Sequence, residues 1–90
     1  MTAMTIDRQF SSEITKDKTS GWTCVEWSES VRVLGTGKSV KVSAAIDGHE
    51  FQATFLPTGG RHMLPLRAAI LKTIKKQVGD TVAVHVQDRL

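Results

Sequence analysis

The chain has 90 residues, 40% of them hydrophobic and 23% charged, with a formal net charge of +3 at pH 7. That length holds one domain with one core, and the ordinary apolar content argues against disorder. The longest apolar stretches fall well short of the roughly 18–20 residues that cross a bilayer, and Met1–Phe10 lacks the basic start and apolar run of a signal peptide, so the expectation is a cytoplasmic protein with no membrane partner.

In chain order, residues 1–8 show no pattern and read as a flexible N-terminus ahead of a single β-barrel domain over 9–90. Phe10–Ile14 alternates apolar and polar residues as a strand does, and Lys16–Gly21 is a polar turn. Trp22–Trp27 reads as a second strand with apolar residues on both faces. It holds the single cysteine, Cys24, which excludes an intrachain disulfide and reads as a buried thiol. Ser28–Leu34 has room for one helical turn capped by Ser28, and Gly35-Thr36-Gly37 then breaks the chain.

The next segment is the clearest. Val40, Val42, Ala44 and Ile46 alternate with Lys41, Ser43 and Ala45, and Asp47-Gly48 follows, a pair suited to a two-residue type I′ turn. With that turn Ile46 faces His49, Ala44 faces Phe51, Val42 faces Ala53 and Val40 faces Phe55. Pro65–Val78 reads as one long helix, with Pro65 at its first position and Gly79 at its exit. Val82, Val84 and Val86 then alternate along a last strand. The expected fold is mainly β: a small five- to six-stranded barrel or half-open sheet, capped by that helix and one short helical turn.

On the helix, Leu66, Ala69, Ile70, Ile74 and Val78 share an apolar arc, and Lys72, Lys75 and Lys76 lie opposite. A solvated face explains those lysines most simply; contact with a nucleic-acid backbone is the alternative. Arg67 lies on the margin of the arc in the first turn, where the helix dipole favours anions by about 0.3–1 kcal/mol. Either a carboxylate such as Glu26, Glu50 or Asp80 compensates it, or it helps to hold a bound anion.

Pro57-Thr58-Gly59-Gly60-Arg61-His62 is the most distinctive loop. Gly59 and Gly60 free the backbone to turn N–H groups toward one point, Arg61 offers a planar fork, and His62 a donor that charges near neutral pH. With a helix start nearby these are the ingredients of an anion site, although neither common phosphate-loop motif is present. The same residues also serve a plain strand-to-helix connection. His49, His62 and His85 have no metal-ligand spacing, so no metal and no cofactor is expected.

From Trp22 onward the motif order resembles the bacterial "domain of unknown function 1905" family. Trp22 with Val25-Glu26, Gly35-Thr36, Ile46-Asp47-Gly48-His49 with Phe51, Leu56 through Pro65, and Val78-Gly79-Asp80-Thr81-Val82 carry the resemblance, over roughly residues 9–88. It implies a small double-split β-barrel with helical caps and no assigned activity. Trp27 stands where the family usually has proline and Thr58 where it often has methionine; the Trp27 ring is expected near a pocket or partner surface.

Three functions fit these residues. The first is a small binding domain in which Gly59, Gly60, Arg61, His62, Arg67 and Glu26 surround an anionic or aromatic ligand, with Trp22 or Trp27 as an apolar wall. The second is a dimeric nucleic-acid-binding regulator acting through Lys72, Lys75 and Lys76, which suits the mildly basic charge. The third is an enzyme using His62 or Glu26 for acid–base work.

Overall fold

Turn residues and apolar alternation set the strands of the computed structural model, which describes residues 4–90. The elements are β1 (Met4–Glu13), β2 (Thr15–Lys16), β3 (Thr23–Trp27), α1 (Ser30–Leu34), β4 (Val40–Ile46), β5 (His49–Thr58), β6 (Arg61–Pro65), α2 (Ala68–Ile74) and β7 (Thr81–Arg89). All neighbouring strands are antiparallel, in the order β1-β7-β4-β5-β6-β3-β2. The sheet curls into a half-barrel that brings β1 against β3, where the Glu26 N–H donates to Ser12 Oγ at 3.4 Å.

The β4–β5 hairpin has the register that its alternation requires, from Ile46 opposite His49 to Val40 opposite Phe55. Its turn needs positive φ at both central residues, and Asp47 (φ 48°) and Gly48 (φ 86°) supply it. Asp47 is tied down from outside the hairpin. Its N–H donates to the Ala83 carbonyl and its Oδ1 accepts the Ala83 N–H, both at 2.9 Å, which fixes the turn on β7.

The Gly59-Gly60 segment is a second turn of the same kind. Gly59 (φ 54°) and Gly60 (φ 82°) join β5 to β6, with Thr58 opposite Arg61 and Leu56 opposite Met63. The loop expected to run into a helix is therefore a β-hairpin, and β6 is a strand that the sequence reading did not contain.

The curl buries Val40, Val42, Ala44 and Ile46 of β4, Val82, Val84 and Val86 of β7, Val25 of β3, Leu64 of β6, and Phe55. Phe10, Trp27 and Phe55 form an aromatic column, with Phe10 stacked on Trp27 at 5.0 Å and Trp27 tilted against Phe55 at 5.6 Å. Such a column adds about 0.5–1.5 kcal/mol per pair to the burial of the rings. Trp27 thus belongs to the core rather than to a pocket or partner surface. Cys24 is buried as expected, and desolvation pushes its thiol above its ordinary value.

The long helix expected over Pro65–Val78 is a short one, α2, while α1 forms where the short helical turn was expected. The expected start is lost because Pro65 ends β6 and the Leu66 N–H donates to the Thr23 carbonyl at 2.8 Å, which keeps both residues extended beside β3. Arg67, with β-region φ and ψ, is the N-cap of α2, not a residue of its first turn. The helix ends at Ile74 because Lys75 takes a left-handed conformation (φ 58°), and the Lys76 N–H closes back on the Leu71 carbonyl at 3.2 Å. Val78, expected on the apolar arc, is 51% exposed. In α1 the N-cap is Glu29 rather than Ser28; it makes no side-chain cap bond, and Ser30 turns inward. β1 begins at Met4 rather than Phe10, pairing with β7 across an irregularity at Asp7 (φ 47°); residues 1–3 of the expected flexible N-terminus lie outside the described residues.

Lysine is strained at a left-handed helix exit that usually holds glycine. Lys75→Gly is expected to stabilise the domain by a few tenths to about 1 kcal/mol, raising Tm by roughly 2–8 °C in a thermal melt. An unchanged or lower Tm contradicts this account of the helix end.

Candidate ligand-binding cleft

The expected site residues do not converge. Arg61, beside the Gly59-Gly60 turn, reaches across β6 to β3, where its Nε and Nη2 lie 3.0 and 2.9 Å from Glu26 Oε1. Both side chains stay more than a third exposed, and such a pair contributes about 0–1 kcal/mol. Glu26 therefore serves Arg61 and not Arg67.

His62 points the other way. It is fully buried under Phe55, edge-on to that ring at 6.2 Å. Nε2 lies 2.7 Å from the Lys38 carbonyl, which can only accept, so Nε2 carries the proton. The His62 backbone N–H donates to Ser30 Oγ at 2.8 Å, and the Ser30 hydroxyl donates in turn to Nδ1 at 2.7 Å. Both ring nitrogens are consumed inside the protein. His62 thereby clamps α1 and the segment before β4 onto β6, and no ring nitrogen is left for a ligand or for proton transfer.

Arg67 and Trp22 line a different place, a cleft of about 820 Å³ between β5 and the layer made of α2, Pro65 and Trp22. Pro65 opens one side of it. In the β4–β5 ladder, Ile46 and His49 flank the turn as a hydrogen-bonded pair, so the odd-numbered residues of β5 bond to β4. Pro57, next in that series, has no N–H and lies beyond the end of β4. On its other edge β5 bonds to β6 through Thr58–Arg61 and Leu56–Met63. Extending that register places Thr54 opposite Pro65, and Pro65 again has no N–H to give. The ladder stops there. β6 continues along β3, and β5 is left with an open edge.

The apolar walls of the cleft come from Phe51 and Ala53 of β5, Leu66, Ile70 and Trp22. Trp22 is 52% exposed and stands on the β2–β3 turn, whose Ser20 N–H and Oγ both donate to Asp17 Oδ2 at 2.8 Å. Those bonds hold the Asp17 carboxyl below its usual range. The charged lining residues are Lys41 and Arg67; no Asp or Glu contributes, and neither cation has an ion-pair partner among the described residues.

Lys72, Lys75 and Lys76 surround a shallower depression of about 350 Å³ at the far end of α2. Lys76 is partly committed there, with Nζ 3.9 Å from Asp47 Oδ2. Of the residues singled out from sequence, the structure joins Trp22 to Arg67 and Glu26 to Arg61, and sends Trp27 and His62 into the core. Phe51, Thr54 and Lys41 were missed; the signal for them was Pro65 standing opposite Thr54. Among the described residues no cluster of His, Cys, Asp or Glu forms a metal site, and no helix is long and apolar enough to cross a membrane.

Fold and cleft together define a small antiparallel β domain, curled into a half-barrel and split along one side. Residues 10–86, most of the chain, match the family model described as a domain of unknown function, DUF1905, and the chain belongs to that family. No curated protein matches it.

Proposed function

We propose that this protein is a binding domain and that its ligand occupies the split between β5 and β6, with an apolar group against Trp22 and a negative group at Arg67. One observation carries the reading: an apolar cleft has two cations on its lining, no Asp or Glu beside them, and no ion pair to either among the described residues. Both cations are exposed and stand beside an apolar wall, so they offer charge-assisted hydrogen bonds to an anionic guest at the cleft's rim, and the aromatic wall favours a flat apolar one. The Gly59-Gly60 turn is not part of this site. Its glycines serve the hairpin, and Arg61 is occupied by Glu26.

The test is a melting-shift and titration series with benzoate and naphthoate as probes. Naphthoate is expected to raise Tm. Arg67→Glu is expected to weaken its binding by about ten- to a hundredfold, the range of one charge-assisted hydrogen bond of roughly 1.5–3 kcal/mol. Arg61→Ala is expected to leave it unchanged. Loss of binding in Arg61→Ala with retention in Arg67→Glu overturns the reading.

The lysine depression gives weaker support to a nucleic-acid-binding role, because Lys76 already turns toward Asp47 and the surface is shallow. Binding there requires an affinity for duplex DNA that falls with salt at a slope near −0.9 per phosphate neutralised. No binding at low salt removes it.

A further inference from the structure

We infer that the ligand of the cleft is an acidic peptide in extended conformation, which pairs as an added strand with the open edge of β5; this rests on the binding reading above and names its partner. The edge runs from His49 to Phe55 before pairing with β6 begins at Leu56. Because the odd-numbered residues of β5 bond to β4, the N–H and C=O groups of the even-numbered residues lie on the cleft side; Thr54 there opposes Pro65, which keeps its carbonyl, whereas Gln52 lies beyond the end of β6 and has no partner strand among the described residues. The cleft lining includes Gln52 and Thr54 from one face of β5 and Phe51 and Ala53 from the other, so it wraps around the strand's edge.

An exposed strand edge templates pairing with another chain, and proteins usually blunt it with proline, lysine or a bulge. Between His49 and Phe55 there is no proline and no lysine, and the β4–β5 register is continuous. The one charged residue on it, Glu50, is turned aside to accept from Gln87 Nε2 at 3.0 Å. Pro65 instead sits where the β5–β6 ladder ends, which leaves this stretch of edge open. A small carboxylate would use Arg67 and Trp22 and leave the backbone of Gln52 unpaired. A strand of about six residues, roughly 20 Å long at about 3.4 Å per residue, satisfies it. Its alternate side chains would meet the apolar side formed by Phe51, Leu66 and Ile70. Lys41 and Arg67, with no acidic residue in the lining, select negative charge on the peptide.

The probe is an acetylated and amidated hexapeptide of alternating valine and glutamate, followed by amide hydrogen exchange of the whole protein. Exchange at Gln52 is expected to slow tenfold or more with peptide, while Phe51 and Ala53, already bonded to β4, change little. Peptides N-methylated on the valines or on the glutamates keep their side chains and charge but lose one set of strand donors, and one of the two is expected to bind tenfold or more weakly than the parent peptide. If both bind as the parent does, or if the peptide leaves Gln52 unprotected, while naphthoate still raises Tm, the strand inference fails and the cleft reading stands. If neither probe acts, both fail. Protection of Gln52 that rises with protein concentration in the absence of peptide assigns the edge to a second copy and overturns the peptide inference.

Discussion

His62→Leu is expected to destabilise the domain by about 3 kcal/mol, although leucine is apolar and the site is fully buried. Leucine strands the Lys38 carbonyl, which now accepts from Nε2, and removes the acceptor of the Ser30 hydroxyl. A buried polar group left without its partner costs about 1–3 kcal/mol, which applies in full to the Ser30 hydroxyl, and the part-buried bond to the Lys38 carbonyl is lost as well. For a domain of this size, 3 kcal/mol corresponds to a fall of roughly 12–24 °C in Tm. Ser30→Ala is expected to cost a similar amount, about 2–3 kcal/mol, because it leaves both the His62 backbone N–H and Nδ1 without their partner while the Nε2 bond stays in place. The two substitutions share a partner, so combined they should cost less than the sum of the single effects. The measurement is a thermal or denaturant melt of the three variants. A His62→Leu protein as stable as the parent contradicts the clamp.

Phe55→Ala is the other large effect, expected at about 3–5 kcal/mol. Phe55 is the largest fully buried side chain, placed between Trp27 and His62 and opposite Val40. Removing the ring loses its burial and both aromatic contacts and leaves a cavity beneath the cleft. A 90-residue domain has a total stability of only about 5–13 kcal/mol, so this variant is expected to be partly unfolded near body temperature. Urea unfolding monitored by tryptophan fluorescence measures it. A loss under about 1 kcal/mol would mean that Phe55 is not the centre of the core.

The β4–β5 hairpin was legible because two independent signals agree there: strict alternation over Val40–Ile46, and an Asp-Gly pair at its end. Gly59-Gly60 carries the same turn signature, but its flanks hide it. Pro57 on one side and the buried polar His62 on the other break the alternation that would mark strands, and Pro65 suits a first helical turn as well as a strand end. Only the tertiary bond from the Leu66 N–H to the Thr23 carbonyl decides between those two uses. The helix failed at its far end for a similar reason. Leu66, Ile70 and Ile74 keep helical spacing, but nothing local announces that Lys75 turns left-handed and leaves Val78 in solvent.

For the site, the sequence supplied Arg67 and Trp22 but could not separate them from Arg61, His62 and Trp27. Which of two tryptophans on neighbouring positions of one segment enters the core depends on the curl of the sheet. For His62 the sequence favoured a hydrogen-bonded structural residue over a catalytic one, but it could not name the partners, Ser30 and the Lys38 carbonyl, which lie 32 and 24 residues away in the chain. Arg67 was read as a first-turn cation needing compensation, but it is the exposed N-cap of α2. None of the three carboxylates weighed for it pairs with it, which is why the cleft became the candidate site.

Titration of the isotope-labelled protein with naphthoate, followed through its backbone amide resonances, tests the location of the site most directly. The predicted result is a set of saturable shifts centred on Trp22, Gln52, Thr54 and Arg67, with the Gly59–Arg61 turn unmoved. Shifts centred on Gly59, Gly60 and Arg61, with the cleft residues unmoved, would contradict it.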